Sequence, residues 1–173
     1  MKLALRWKIT IAVILGSAAI LAALYAYLHA AVRAVETRQL TESLLTQARL
    51  AAEQLPPLLP HATRLRAWSE ALDARIGARV TIIAATGAVL ADSREDPAAM
   101  ENHADRPERL QALAQGRGSD LRFSHTLRMD MLYVAVPLRT PEAGAGPVLR
   151  LARPLVEVYA AQAGLQRALL ATL

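Results

Sequence analysis

The polar, turn-rich segment DSREDPAAMENHADRP, from Asp92 to Pro107, carries an amide, an imidazole and a guanidinium at Asn102, His103 and Arg106. Side chains of these types recognise ligands. The planar fork of an arginine grips a carboxylate or phosphate through paired N–H donors, and an amide or imidazole adds directed hydrogen bonds. Tyr133 and Arg150, in two later runs of β character, bring a hydroxyl and a second guanidinium. These five residues form a candidate ligand-binding set. A purely internal arrangement competes with it: Arg106 bridging Asp92 or Glu108, Asn102 capping a turn and Tyr133 in the core would tie the loop down with no ligand at all.

Covalent and metal chemistry have less to work with. The absence of cysteine removes a disulfide framework, a Cys-ligated zinc site and a thiolate nucleophile. Neither HExxH nor GxSxG occurs, and no Ser or Thr stands recognisably against a His and an acid. His29, His61, His103 and His125 are too scattered to assert a metal site, although Asp92, Glu101 and His103 can in principle meet around a cation. No catalytic residue and no metal ligand is assigned. The net charge of +5 is concentrated at the start, in Lys2, Arg6 and Lys8, and the body is nearly neutral. Trp7, Trp68 and Phe123 form no stacking series, so nucleic acid is not among the expected partners.

The elements that must position the set follow from hydropathy and period. Ile9 to Leu28 is an uncharged run whose length, at about 1.5 Å per residue, covers the roughly 30 Å hydrocarbon layer of a bilayer. The three cations before it should stay cytoplasmic, and Tyr25 and Tyr27 fall at the far headgroup zone. Everything after about His29 is then extracytoplasmic. A cleaved signal peptide ending at Val32-Arg33-Ala34 is the alternative, but its apolar core would be unusually long. Leu40, Leu44, Ala48, Ala51 and Leu55 continue as one apolar stripe on a helix that Pro56-Pro57 ends, which reads as a dimer or signalling helix or as an ordinary core helix.

A second helix is expected from Thr63 to Ile76, with Leu65, Trp68, Leu72 and Ile76 on one side and Gly77 as its stop. The period then changes to two. Arg79–Ile83 and Val89–Ala91 flank a Gly-containing turn, the loop to Pro107 covers a sheet face, and a short helix runs to about Gln115. Leu121–Ser124, Asp130–Leu138 and Val148–Arg153 complete five strands; both faces of MDMLYVAVPL are apolar, and Leu149 and Leu151 should face the core while Arg150 faces away. The fold class is α+β: an N-terminal transmembrane helix continuing into a long helix, then an antiparallel five-stranded sheet with flanking helices. Residues 1–29 form the tail and span, 30–154 the extracytoplasmic domain, and 155–173 an exit helix whose uncharged end reads as the start of a second span.

The hairpin ending GAVLADS, the loop DPAAMENHADRPE and the strand MDMLYVAVPL together resemble the extracytoplasmic sensor region of bacterial histidine kinases of the phosphate-regulon (PhoR-like) type. The turn Ala84-Ala85-Thr86-Gly87 departs from that family in lacking an Asp or Asn before the glycine. The resemblance implies a PAS-like, Cache-type sensor domain between two spans, acting as a homodimer on a small-molecule or envelope signal. It also implies a cytoplasmic kinase core outside these residues, which would use ATP and Mg and pass phosphate to a response regulator. Ser124-His125-Thr126-Leu127-Arg128 is superficially similar to the phosphoacceptor box, but Thr126 replaces the acid that assists the histidine, and the surroundings are not helical. The expected function is therefore signal input. A membrane-tethered periplasmic binding protein, or the input region of a chemoreceptor or cyclase, are the other readings of the same layout.

Overall fold

The structure, a computed structural model, describes residues 5–124, 129–138 and 146–155. The chain forms two compact units, Met1–Leu40 and Thr41–Leu173. The first is built on helix α1 (Leu5–Ala52), whose apolar window has a mean hydropathy of 2.3 and no buried residue, so by length and composition it can cross a membrane. Trp7, Leu15, Ile20 and Leu21 are all more than 60% exposed, which suits a lipid-facing surface.

The second unit takes in the end of α1 from Thr41 onward. Leu44, Ala48, Ala51 and Leu55 are buried inside it, while Leu40 belongs to the first unit and is half-buried. Within one chain these four are core positions, as in the ordinary-core-helix reading of the stripe. Helix α1 stops at Ala52, and the two prolines open a single 3-10 turn, Pro56–Leu58. Helix α2 (Ala62–Ile76) ends where Gly77 adopts φ +65°, a left-handed geometry that glycine takes without a Cβ clash. Its covered side is the expected one, with Leu65 and Ser69 buried and Trp68, Leu72 and Ile76 half-buried. Ser69 fits inside because its hydroxyl donates to the Leu65 carbonyl at 2.8 Å.

Five strands follow: β1 (Arg79–Ile83), β2 (Val89–Asp92), β3 (Gly118–Ser124), β4 (Met129–Pro137) and β5 (Val148–Pro154). They pair antiparallel throughout in the order β2-β1-β5-β4-β3, so the last strand in sequence is the central one. Helix α3 (Pro107–Gln115) packs on β3, β4 and β5, and α2 packs on β1 and β2. Alternation splits the sheet into two chemically different faces. Val80, Ile82, Ala91, Leu132, Val134, Val136, Leu149 and Leu151 share one face and are all buried, forming the main core. The opposite face is polar where the long loop covers it and apolar where α3 does, at Ala112, Ala135 and Val148. The exit helix expected after Pro154, and His125 with its neighbours, fall outside the described residues from 156 on and at 125–128.

Candidate functional site

The register of the sheet assembles the site. Thr81 pairs with Asp92 and with Arg150, Ala152 with Arg79 and with Tyr133, and Arg122 with Met131, so all of these side chains leave one face. Above them runs the segment from Ser93 to Arg106. A cavity of about 930 Å³ lies between segment and sheet, and Arg79, His103, Arg106, Arg122, Tyr133 and Arg150 line it together with Met100 and Met131. Four of the five residues expected from the sequence meet here.

Behind the cavity stands a buried carboxylate. Glu108, in the first turn of α3, is fully buried; Arg122 donates to it with both terminal nitrogens at 3.2 Å, and Arg150 donates to it at 3.4 Å. The other terminal nitrogen of Arg150 donates to the Thr81 hydroxyl at 3.2 Å, and that hydroxyl donates to Asp92 at 2.7 Å. Arg79 closes the chain on Asp92 at 3.0 and 3.1 Å, and the amides of Arg94 and Glu95 donate to the same carboxylate. The Tyr133 ring lies beneath both guanidiniums, 4.1 Å from that of Arg122 and 5.3 Å from that of Arg150, an attraction between cation and ring quadrupole that holds both flat. Burial raises the Asp92 carboxyl, but its hydrogen bonds from Arg79, the Arg94 amide and Thr81 outweigh that and hold it below the usual carboxylate value. Arg150 is lowered by its burial, against the pull of Glu108.

The loop is fastened at its far end. Asn102 accepts from the Ala104 amide at 2.7 Å and donates to the Thr86 carbonyl at 3.2 Å, so it is a turn cap, and it does not line the cavity. The His103 amide donates to Gly87 at 2.8 Å, and Arg109 bridges the carbonyls of Ala104 and Ala85. Gly87, at φ +88°, leaves no room for a Cβ against Asn102 and Ala104. Arg106 pairs with Glu101 at 3.6 Å rather than with Asp92 or Glu108, both of which are taken by sheet arginines. Because Asp92 is committed in this way, the grouping of Asp92, Glu101 and His103 does not form, and among the described residues no three such ligands converge.

Three polar atoms of cavity residues remain unsatisfied among the described residues: His103 Nδ1, Arg106 Nε and Arg150 Nε, each buried with no hydrogen-bond partner. Buried polar groups are normally paired with protein or water, and Gln47 Oε1, Arg109 Nε and Arg153 Nε, which do not line the cavity, are in the same state. Burial lowers the His103 pKa below its ordinary value, and the charges of Arg150 and Arg106 add to the effect.

No family model matches the sequence, and no curated protein matches it. Among solved structures, the chain is similar to the sensor domain of E. coli DcuS, with a TM-score of 0.56 and 16% identity over 72% of this chain and 96% of that one. It is also similar to the sensor domain of the V. cholerae histidine kinase DctB, with a TM-score of 0.53 and 16% identity over 69% of this chain and 52% of that one. The chain shares its fold with these two domains. Likeness at this identity establishes the PAS- or Cache-like architecture, the mixed layer of helices on a five-stranded antiparallel sheet, and leaves the chemistry of the cavity to its own residues. Arg79 and Arg122 were not expected at the site because charged residues in strands usually face water, and only the register reveals that these two share one covered face.

Proposed function

We propose that the second unit is the extracytoplasmic input domain of a membrane-bound sensor kinase and that it recognises a small oxyanion, a carboxylate or a phosphate, in the cavity between loop and sheet. The observation that carries this reading is the convergence of four guanidiniums on one cavity in which Arg106 Nε and Arg150 Nε have no partner. Met100, Met131 and Ala152 line the same space and suit a short apolar stem on the ligand. Helix α1 links the unit to the apolar segment, and a coupling of about 1 to 3 kcal/mol between occupancy and helix placement is enough for signalling. The closer likeness to phosphate-regulon kinases rests on the three sequence motifs already quoted.

Thermal unfolding of the full chain in detergent, with sulfate, phosphate, oxalate or succinate added, tests the reading. At a hundredfold excess over its dissociation constant a specific anion stabilises by about 2.7 kcal/mol. The expected result is a rise in Tm with at least one of them, lost in Arg150→Met and weakened in Arg106→Gln. No rise with any anion, or an equal rise in both variants, would contradict it.

A further inference from the structure

We propose that the oxyanion enters the cavity together with a proton, taken up by His103, so that the domain responds to anion concentration and acidity jointly. This rests on the proposed anion site and goes beyond it. His103 is 6% exposed, and its Nδ1 has no hydrogen-bond partner among the described residues while lining the same cavity as the orphaned nitrogens of Arg106 and Arg150.

The surroundings of the imidazole disfavour its proton until an anion arrives. Burial disfavours the imidazolium most, and Arg150 from β5 and Arg106 from the loop add to it; the Asn102 backbone and Glu108 from α3 favour it without cancelling these. Arg79 from β1, Arg122 from β3, Tyr133 from β4, and Glu95 and Glu101 from the loop line the same cavity. Of the buried carboxylates, Glu108 is shared by Arg122 and Arg150, and Asp92 is held by Arg79, so neither is free to offset a third cation. An anion placed between Arg106, Arg150 and His103 changes the sign of the local field. It accepts hydrogen bonds from the two guanidiniums and from a protonated Nδ1, and the proton comes from solvent. No bond other than N–H is made.

The sign of the linkage follows. Between the lower pKa of the empty site and the higher one of the occupied site, each anion binds with a fraction of a proton, so affinity falls as pH rises. Below that window His103 is already charged and affinity is flat.

Calorimetric titration of the full chain with sulfate and oxalate, whose own charge is constant between about pH 5 and 8, reads this directly. Titration in two buffers of different ionisation enthalpy gives the protons taken up. Expected are net proton uptake near neutrality and an affinity that weakens by up to about tenfold per pH unit; His103→Gln, which loses one donor to the anion, binds more weakly and with neither proton uptake nor pH dependence. Binding with no uptake and a flat pH profile would overturn the proposal and leave the anion site standing. Binding of neither anion at any pH would overturn the anion site and this proposal with it.

Discussion

Glu108 is the residue on which the polar face depends. It has no solvent contact, yet it holds two guanidiniums, and removing its charge leaves Arg150 buried opposite a neutral amide. Breaking one partner of such a buried group typically costs about 3 to 5 kcal/mol, so Glu108→Gln is expected to lower the unfolding free energy by that order, read from the shift of the urea midpoint at unchanged slope. The acids that titrate low act in a more acidic range than His103 does. Asp73 is lowered chiefly by its hydrogen bond from Arg94, and Asp92 is lowered although burial opposes it. Their stabilisation is present above the ordinary carboxylate value and disappears as pH falls through their lower folded values. His103 also titrates low, but as a base: the folded state binds its proton less readily than the unfolded chain does. The empty domain therefore loses stability as pH falls below the ordinary imidazole value, and His103→Gln removes that component of a Tm-against-pH curve. Residue types alone pointed to His103, Arg106, Tyr133 and Arg150, because few other side chains recognise anions. Their partners were invisible in sequence: nothing in the spacing of Glu108 and Arg122 says that they form a two-pronged ion pair across α3 and β3.

At the scale of elements, α3 sits on β3 with no slack. A Cβ on Gly118 would collide with the Glu108 carbonyl and crowd the Ala112 amide, so the glycine sets how closely the helix carrying Glu108 approaches the sheet. Gly118→Ala is expected to cost about 1 to 3 kcal/mol by overpacking and to weaken anion binding, since α3 must lift and carry Glu108 away from Arg122 and Arg150; unfolding and titration of one variant check both effects. Helix ends were legible because glycine and proline mark them: α2 and α3 end at Gly77 and Gly116, both left-handed, and α3 opens on Pro107. Strand edges were less so. β3 begins at Gly118 rather than Leu121, because Gly118 and Ser119 pair with Ala135 and Val134 although neither has β propensity. The stripe from Leu44 to Leu55 shows a different limit, since an apolar period records that a face is covered and not by what.

For the whole molecule, burial of that stripe changes where a second copy can dock. Ser43, Thr46, Leu50 and Glu53 lie on the exposed side of the same stretch. If the kinase-type homodimer forms along α1, single cysteines at these four positions crosslink between copies in native membranes, and cysteines at Leu44 and Ala48 do not; equal crosslinking at both sets contradicts a helix-to-helix dimer of this kind. The lack of native cysteine makes the same approach decisive for the account as a whole. Met100 is half-buried and lines the cavity under the loop. With Met100→Cys in intact cells, a membrane-impermeant maleimide is predicted to label the protein from outside, and the anion that raises Tm is predicted to slow that labelling. Labelling that appears only after lysis, or that proceeds at one rate with and without the anion, would contradict an extracytoplasmic anion sensor.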